Sequence, residues 1–149
     1  MASVVVDDHL LRDILTGERA PDLGGIAPAG VATTGLWLFR LCLSLAEPGP
    51  AGKLSAPVAG LPEHVQARFR SQLTALPDAI EVLSMRELAW SMAELQHRHR
   101  SQGRGMSAAM VEALAAAERL NAGIAVSKLD IGPNLRASAE ADGVAFHAL

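Results

Sequence analysis

The sequence predicts an α/β fold in which a mostly parallel sheet lies between two layers of helices. Short apolar runs alternate with longer segments that carry helical periodicity. Several runs, such as VVV and GIAVS, are apolar without alternation, which is typical of strands that are buried on both faces. Half of the 149 residues are hydrophobic, enough for a sizeable core. We therefore expect a single three-layer α/β/α domain that spans residues 1–149.

The first part of the chain begins with the strand VVV, which leads directly into the helical segment HLLRDILT. Asp8 is expected to cap this helix, and Gly17 is expected to end it. After Gly17 the pattern predicts a loop, a strand, an apolar helix and a second loop, at residues 18–30, 30–34, 35–46 and 48–62.

The second part continues the alternation of strands and helices. We expect helices at residues 63–76, 85–100, 108–120 and 132–143, and strands at residues 79–84, 123–127 and 144–149. The helix at 85–100 is amphipathic, and its predicted buried face consists of Met85, Leu88, Ala89, Met92 and Leu95. Ser107 is expected to cap the next helix, which Asn121 or Gly123 ends. This order of elements indicates parallel strands joined by helical crossovers.

Composition and charge argue against several classes of protein. The net charge of −3 leaves no broad basic face of the kind that nucleic-acid binders use. Cys42 is the only cysteine, so neither an internal disulfide nor a thiolate zinc site is expected. With no visible signal peptide and no apolar run as long as a membrane span, we expect a cytoplasmic protein without membrane contact. The mean hydropathy of +0.22 is high, which favours a homo-oligomer or a protein partner.

Two aspartates stand where predicted strands end. Asp7 follows VVV directly, and Asp130 lies just beyond GIAVS. Because the carboxyl ends of parallel strands meet at one edge of a sheet, the two carboxylates are expected to lie near each other. Such a pair can hold Mg²⁺ or Mn²⁺ and activate a water molecule for phosphodiester hydrolysis. The sequence contains no glycine-rich phosphate loop.

Nearly the whole chain resembles a PIN domain. VVVDDHLLRDILTGE is similar to the opening strand, aspartate and helix of that family, and GVATTGLWLFRL is similar to its second strand and helix. IEVLSMRELAWSMAEL and the segment from GMSAAMVEAL to GVAF are similar to the remainder. The resemblance implies a metal-dependent ribonuclease, of the family that includes the toxins of bacterial toxin–antitoxin pairs, with RNA as its substrate and an antitoxin as its partner.

The resemblance also implies an active site of three or four carboxylates. Asp7 matches the first of these, and Asp130 matches the fourth with a small offset. Arg40 stands about where the family carries its second acid, and Met110 stands at the third. Glu112 is the nearest replacement for the third acid, although it lies about 200° around the helix from Met110. The expected catalytic residues are therefore Asp7, Asp130 and Glu112, with Asp7 and Asp130 as metal ligands.

The same residues have structural alternatives. Asp7 is also suited to cap the first helix, Asp130 to stabilise a turn, and Glu112 to face solvent on its helix. Arg40 is expected either to pair with Asp7 or Asp130 or to lie at the surface. A catalytically degenerate PIN-like domain that binds a protein partner is therefore the alternative to the ribonuclease. The basic segment HRHR at residues 97–100 is predicted to be a solvated helix end.

Overall fold

A computed structural model describes residues 3–19, 23, 29–47 and 54–149, and these residues form five strands and seven helices. The strands are β1 (Val4–Val6), β2 (Val31–Thr34), β3 (Ile80–Leu83), β4 (Gly123–Val126) and β5 (Phe146–Ala148). The helices are α1 (Asp8–Thr16), α2 (Gly35–Ala46), α3 (Ala56–Ala59), α4 (Glu63–Thr74), α5 (Met85–Ser101), α6 (Ala108–Leu120) and α7 (Leu135–Ala141).

The five strands form one sheet with the order β3-β2-β1-β4-β5, and all neighbouring strands are parallel. Val4 is paired with Val31 on one side and with Gly123 on the other, so β1 is the central strand. The chain builds outward from β1 through β2 and β3, and then returns to the other side of β1 for β4. The predicted parallel α/β fold is confirmed. The reversal between β1 and β4 makes their carboxyl ends the switch point where open α/β sheets place their sites.

The core is divided between the two faces of the sheet. Consecutive strand residues point to opposite faces, so Val5 packs with α5, α6 and α7 while Val4 and Val6 pack with α1, α2 and α4. The first face contains Leu88 of α5 and Leu114 of α6, and the second contains Leu11 of α1, Leu41 of α2 and Phe69 of α4. The molecule therefore has the predicted α/β/α layers.

Helix α6 approaches the sheet closely because its buried side chains are small. Ala113, Ala115, Ala116 and Ala117 are each at most 1 % exposed. Ser107 accepts a hydrogen bond from the backbone N–H of Met110 at 3.3 Å, and Asn121 ends the helix with a φ of 50°. Both predicted caps of this helix are confirmed.

Several predicted elements differ from the structure. The predicted loop at 48–62 contains the short helix α3, which the Pro- and Gly-rich composition obscured. The last helix begins at Leu135 rather than in the turn that holds Pro133. The first helix is capped by Asp7 rather than by Asp8. Most of the predicted loop at 18–30 lies outside the described residues.

The outer surface of α5 is more apolar than its periodicity predicted. Leu88 and Leu95 are buried, whereas Met85 is 41 % exposed and Ala89 is also exposed. Trp90 is 76 % exposed. Because β3 is an edge strand and α5 packs mainly against α6, part of the α5 surface has no packing partner among the described residues. None of the helices in the described residues is long and apolar enough to cross a membrane.

The carboxyl end of α5 is solvated at His97, Arg98 and Arg100, as its sequence predicted, but not at His99. His99 is fully buried, and its Nδ1 accepts a hydrogen bond from Arg104 Nε at 3.1 Å. The Nε2 atom therefore carries the proton and donates to Asp142 at the end of α7, over 2.8 Å. Arg98 donates to the same Asp142 oxygen at 2.8 Å. This network fastens α5 to α7 on one face of the sheet.

The close approach of α6 gives a first prediction. Replacing Ala116 with Leu inserts three carbon atoms where the side chain is fully buried, so we expect the free energy of unfolding to fall by about 1–3 kcal/mol. Ala93→Leu on the exposed face of α5 is the matched control and should change it by less than about 0.5 kcal/mol. Urea denaturation measures both. Equal effects would contradict the packing described for α6.

Candidate metal centre

The carboxyl ends of β1 and β4 open into a cavity of about 240 Å³. Its lining includes Asp7 and Asp8 from the β1–α1 junction, Arg40 from α2, and Asp130 from the segment after β4. It also includes apolar side chains that limit access of water from the core side, among them Trp37, Met110, Val126 and Leu135. Asp7 and Asp130 thus lie at one site, as the strand-end argument predicted.

Asp7 joins two elements through its carboxylate. Oδ1 accepts a hydrogen bond from the backbone N–H of Leu10 at 2.9 Å, and Oδ2 accepts one from the N–H of Ser127 at 2.9 Å. The first bond caps α1, and the second fixes the chain where it leaves β4. Burial raises the pKa of Asp7 to about 7, although both backbone hydrogen bonds favour the charged form.

Asp8 is the first residue of α1 and is only 1 % exposed. Its Oδ1 accepts a hydrogen bond from the N–H of His9 at 3.0 Å, whereas its Oδ2 has no hydrogen-bond partner. The nearest cation is Arg40, whose Nε lies 3.3 Å from Oδ2. Burial raises the pKa of Asp8, and the guanidinium of Arg40 offsets part of that effect.

His9 completes the group at the start of α1. The residue is 3 % exposed, and its Nδ1 has no hydrogen-bond partner. Its Nε2 lies 3.9 Å from Asp130 Oδ2, which is beyond hydrogen-bond distance. Burial lowers the pKa of His9, although the neighbouring Asp8 carboxylate opposes this effect. The imidazole is therefore favoured in its neutral form, with nitrogen lone pairs able to bind a cation.

Arg40 bridges the two sides of the cavity. Its Nη2 donates to Asp130 Oδ2 at 3.0 Å, in addition to the Nε contact with Asp8. The side chains of Arg40 and Asp130 are 46 % and 47 % exposed, so this pair lies at the mouth. The expected ion pair of Arg40 with Asp130 is confirmed. The second partner is Asp8 rather than Asp7, since Asp7 is held by backbone N–H groups.

Glu112 has a different environment from the other acids. It is fully buried, and its two carboxylate oxygens accept hydrogen bonds from the backbone N–H groups of Gly35 and Leu36, at 3.2 and 3.1 Å. It therefore stabilises the start of α2, and the expectation of a solvated residue is wrong. Met110 lines the cavity while Glu112 is not among the lining side chains described. This agrees with their predicted angular separation on α6.

The donor set of the cavity fits a divalent cation. One ligand atom from each of Asp8, His9 and Asp130 lies within 4.8 Å of the others. Ligands of one ion with bond lengths of about 2.1 Å lie about 3–4 Å apart, so small side-chain rotations would bring these atoms into range. Three carboxylates face one guanidinium here, and the orphaned Oδ2 of Asp8 is a buried acceptor that a cation would satisfy.

The sequence analysis assigned no chemical role to Asp8 or His9. Asp8 was interpreted as a helix cap, and His9 was not considered. The run DDH directly after a buried strand carried the signal, because a residue on the first turn of a helix at a strand end remains close to that edge of the sheet. What the sequence did not show is that Asp7 takes the capping position, so that Asp8 lines the cavity and His9 is buried beside it.

Comparisons with known proteins agree with the fold. The structure is similar to that of FitAcB from Neisseria gonorrhoeae, with 15 % identity, 97 % of this chain and 96 % of that chain covered, and a TM-score of 0.56. It is also similar to VapBC-5 from Mycobacterium tuberculosis, a member of the VapBC family of toxin–antitoxin systems, with 18 % identity, both chains fully covered and a TM-score of 0.55. No protein-family model and no curated protein matches the sequence.

These likenesses establish the fold. The all-parallel sheet and the order of its helices are PIN-like, as the resemblance of the sequence implied. At 15–18 % identity they do not carry an activity over to this chain.

The buried Asp7 gives a second prediction, for metal-free protein kept in EDTA. Its pKa is about 7 in the folded state, against 3.8 for an aspartate in water, so between these values the folded state holds a proton that the unfolded state releases. The free energy of unfolding should therefore fall as the pH rises from about 4 to about 7, and the contribution of Asp7 is on the order of 4 kcal/mol.

Urea denaturation of the wild type and of Asp7→Asn at a series of pH values measures this contribution. The wild-type advantage over the variant should shrink between about pH 4 and pH 8, because Asn does not titrate. A difference that stays constant over this range would contradict the burial and electrostatics described for Asp7.

Proposed function

We propose that the chain is a PIN-like ribonuclease of the toxin type, which hydrolyses RNA phosphodiester bonds with a bound Mg²⁺ or Mn²⁺. One observation supports this proposal above the others. Three carboxylates, from Asp7, Asp8 and Asp130, line a single cavity at the switch point of the sheet, with one guanidinium opposite them. Such an excess of negative charge in a partly buried site favours a divalent cation.

Each residue of the site has a different proposed role. The cation, when bound, would polarise the scissile phosphate and supply an activated water. Asp130 is a proposed metal ligand, and Asp7, which the sequence predicted as the second ligand, keeps the ends of β1 and β4 at a fixed separation through its two backbone hydrogen bonds. Glu112 is a positioning residue, because it fixes the start of the helix that carries Arg40. Arg40, once it releases Asp130, is near enough to the mouth to pair with a phosphate oxygen.

The proposed partners are an RNA substrate, an antitoxin protein and a second copy of the chain, in the cytoplasm. One of the two similar structures belongs to a toxin–antitoxin system, which motivates the antitoxin. The exposed apolar side chains Phe39 on α2 and Trp90 on α5, at 58 % and 76 %, offer surface that a protein could cover.

A second candidate function is a catalytically degenerate PIN-like module that binds a protein. The observation that favours it is the contact of Arg40 with both Asp8 and Asp130, which neutralises part of the charge that a cation would need. Under this alternative the acidic site is structural, and charges placed on the Trp90 face of α5 would abolish function while Asp7→Asn would not.

The ribonuclease proposal gives a third prediction. Purified protein should bind Mn²⁺ in calorimetry and cleave single-stranded RNA with Mn²⁺ or Mg²⁺ present. Asp130→Asn should lower the cleavage rate by about a hundredfold or more, since it removes a charged ligand at the mouth without disturbing the core. Asp78→Asn, at an exposed position between α4 and β3, is the matched control and should retain the wild-type rate.

The degenerate module predicts the opposite result. Neither Mn²⁺ binding nor cleavage would be detected at millimolar metal, and Asp130→Asn would behave like Asp78→Asn in every assay. Cleavage that survives both Asp7→Asn and Asp130→Asn would point to a contaminating nuclease and would also contradict the ribonuclease proposal.

A further inference from the structure

We propose that Asp8, His9 and Asp130 form a mixed nitrogen–oxygen cation site that selects a transition-metal dication over Mg²⁺, and that Arg40 closes this site in the metal-free protein. The inference rests on the proposed function for its location, since it concerns the same cavity. It goes further because it assigns a nitrogen ligand, a class of metal and a competing side chain.

The argument for a ligand begins with the unsatisfied atoms at the start of α1. His9 is buried, Nδ1 has no hydrogen-bond partner, and Nε2 approaches Asp130 only to 3.9 Å. A neutral imidazole with neither nitrogen firmly bonded is costly inside a protein. The adjacent Asp8 Oδ2 is also buried without a hydrogen bond. One ligand atom from each of these two residues and one from Asp130 lie within 4.8 Å of one another, so a single cation would reach all three residues.

The contacts of Asp7 explain why the proposed ligands are the next two residues, Asp8 and His9, rather than Asp7 itself. Both of its oxygens are already occupied by backbone N–H groups on β4 and α1. Asp8 and His9 follow on the first turn of the helix, where Asp8 lines the cavity and His9 is buried beside it. Asp130 approaches from the segment after β4 and supplies the third ligand atom within 4.8 Å.

The donor types determine the class of metal. Mg²⁺ takes oxygen ligands almost exclusively and keeps several waters. Imidazole nitrogen suits ions such as Fe²⁺, Ni²⁺ and Zn²⁺ better than Mg²⁺, and the affinity of a given nitrogen–oxygen site generally rises from Mn²⁺ through Fe²⁺ to Co²⁺. A set of two carboxylates and one imidazole, with water completing the shell, should therefore bind Co²⁺ more tightly than Mn²⁺ and Mn²⁺ more tightly than Mg²⁺.

Arg40 is the internal competitor for this site. Its guanidinium contacts Asp8 at 3.3 Å and Asp130 at 3.0 Å, which are two of the three proposed ligands. The metal ion and the guanidinium compete for the same carboxylate oxygens, because two neighbouring cations repel each other. Since the Arg40 side chain is 46 % exposed, it can rotate into solvent when an ion binds.

Tryptophan fluorescence provides a direct test on the intact chain. Trp37 lines the cavity and Trp90 is exposed, so Trp90→Phe leaves Trp37 as the single reporter. Bound Co²⁺ or Mn²⁺ should quench this emission, and Mg²⁺ affinity is measured by competition. In this background we expect Mn²⁺ to bind at least about tenfold more tightly than Mg²⁺.

Two substitutions then separate the roles of the residues. His9→Gln should reduce the preference for Mn²⁺ and Co²⁺ over Mg²⁺ to near one, while His64→Gln on the exposed face of α4 should preserve it. Arg40→Gln should tighten Mn²⁺ binding by about three- to tenfold, whereas Arg100→Gln on α5 should not.

Several outcomes would overturn the inference. A folded His9→Gln protein that keeps the wild-type metal preference would exclude the nitrogen ligand. If that variant does not fold, a wild-type Mn²⁺ to Mg²⁺ affinity ratio near one would exclude it equally. Unchanged Mn²⁺ affinity in Arg40→Gln would exclude the competitor. The proposed function is tested separately by RNA cleavage: selective binding without cleavage would contradict the ribonuclease alone, and cleavage with unselective binding would contradict this inference alone.

Discussion

The two hydrogen bonds that Asp7 accepts are the constraint on which the site depends. One comes from the first turn of α1 and the other from the chain just after β4, so a single buried carboxylate holds the ends of two neighbouring strands together. With this residue engaged by the backbone, α1 begins immediately, and its first two residues, Asp8 and His9, are buried rather than exposed to solvent. The sheet order makes this possible, because β1 and β4 are adjacent only after the chain has reversed around β1.

The protein stabilises the charged forms of the buried acidic groups at this edge of the sheet only in part. Burial raises the pKa of both Asp7 and Asp8, which means that their charged forms are under-stabilised by the surrounding protein. Arg40 contributes one positive charge from α2, and Glu112 holds the start of that helix in place. The single positive charge of Arg40 does not fully balance the acidic side chains. The site is therefore compatible with a bound cation and also with a metal-free state in which Arg40 pairs with the aspartates.

Much of the fold could be predicted from the sequence because its elements have strong local signals. The bounds of β1, α2 and α6 follow from uninterrupted apolar runs and from capping residues such as Ser107 and Asn121. Helix α3 could not be predicted, since Pro and Gly around it satisfy the rules for a loop equally well. The exposure of Trp90 also depends on β3 lying at the edge of the sheet, which is a property of topology and not of periodicity.

The site was predictable in location but not in detail. Parallel strand ends bring Asp7 and Asp130 to one cavity, and this required no knowledge of side-chain contacts. Which of Asp7 and Asp8 caps α1 depends on a difference of one residue in where the helix begins, and sequence patterns do not resolve helix ends that finely. The network of His99 with Asp142 joins residues 43 positions apart, so no local pattern indicated it.

Diffraction from crystals grown with Mn²⁺, recorded at a wavelength where manganese scatters anomalously, tests the account most directly. The account predicts one anomalous peak bounded by Asp8, His9 and Asp130, with the guanidinium of Arg40 displaced from both aspartates. No peak at this edge of the sheet, or a peak elsewhere with Arg40 still bridging Asp8 and Asp130, would contradict the assignment of a cation site to this cavity.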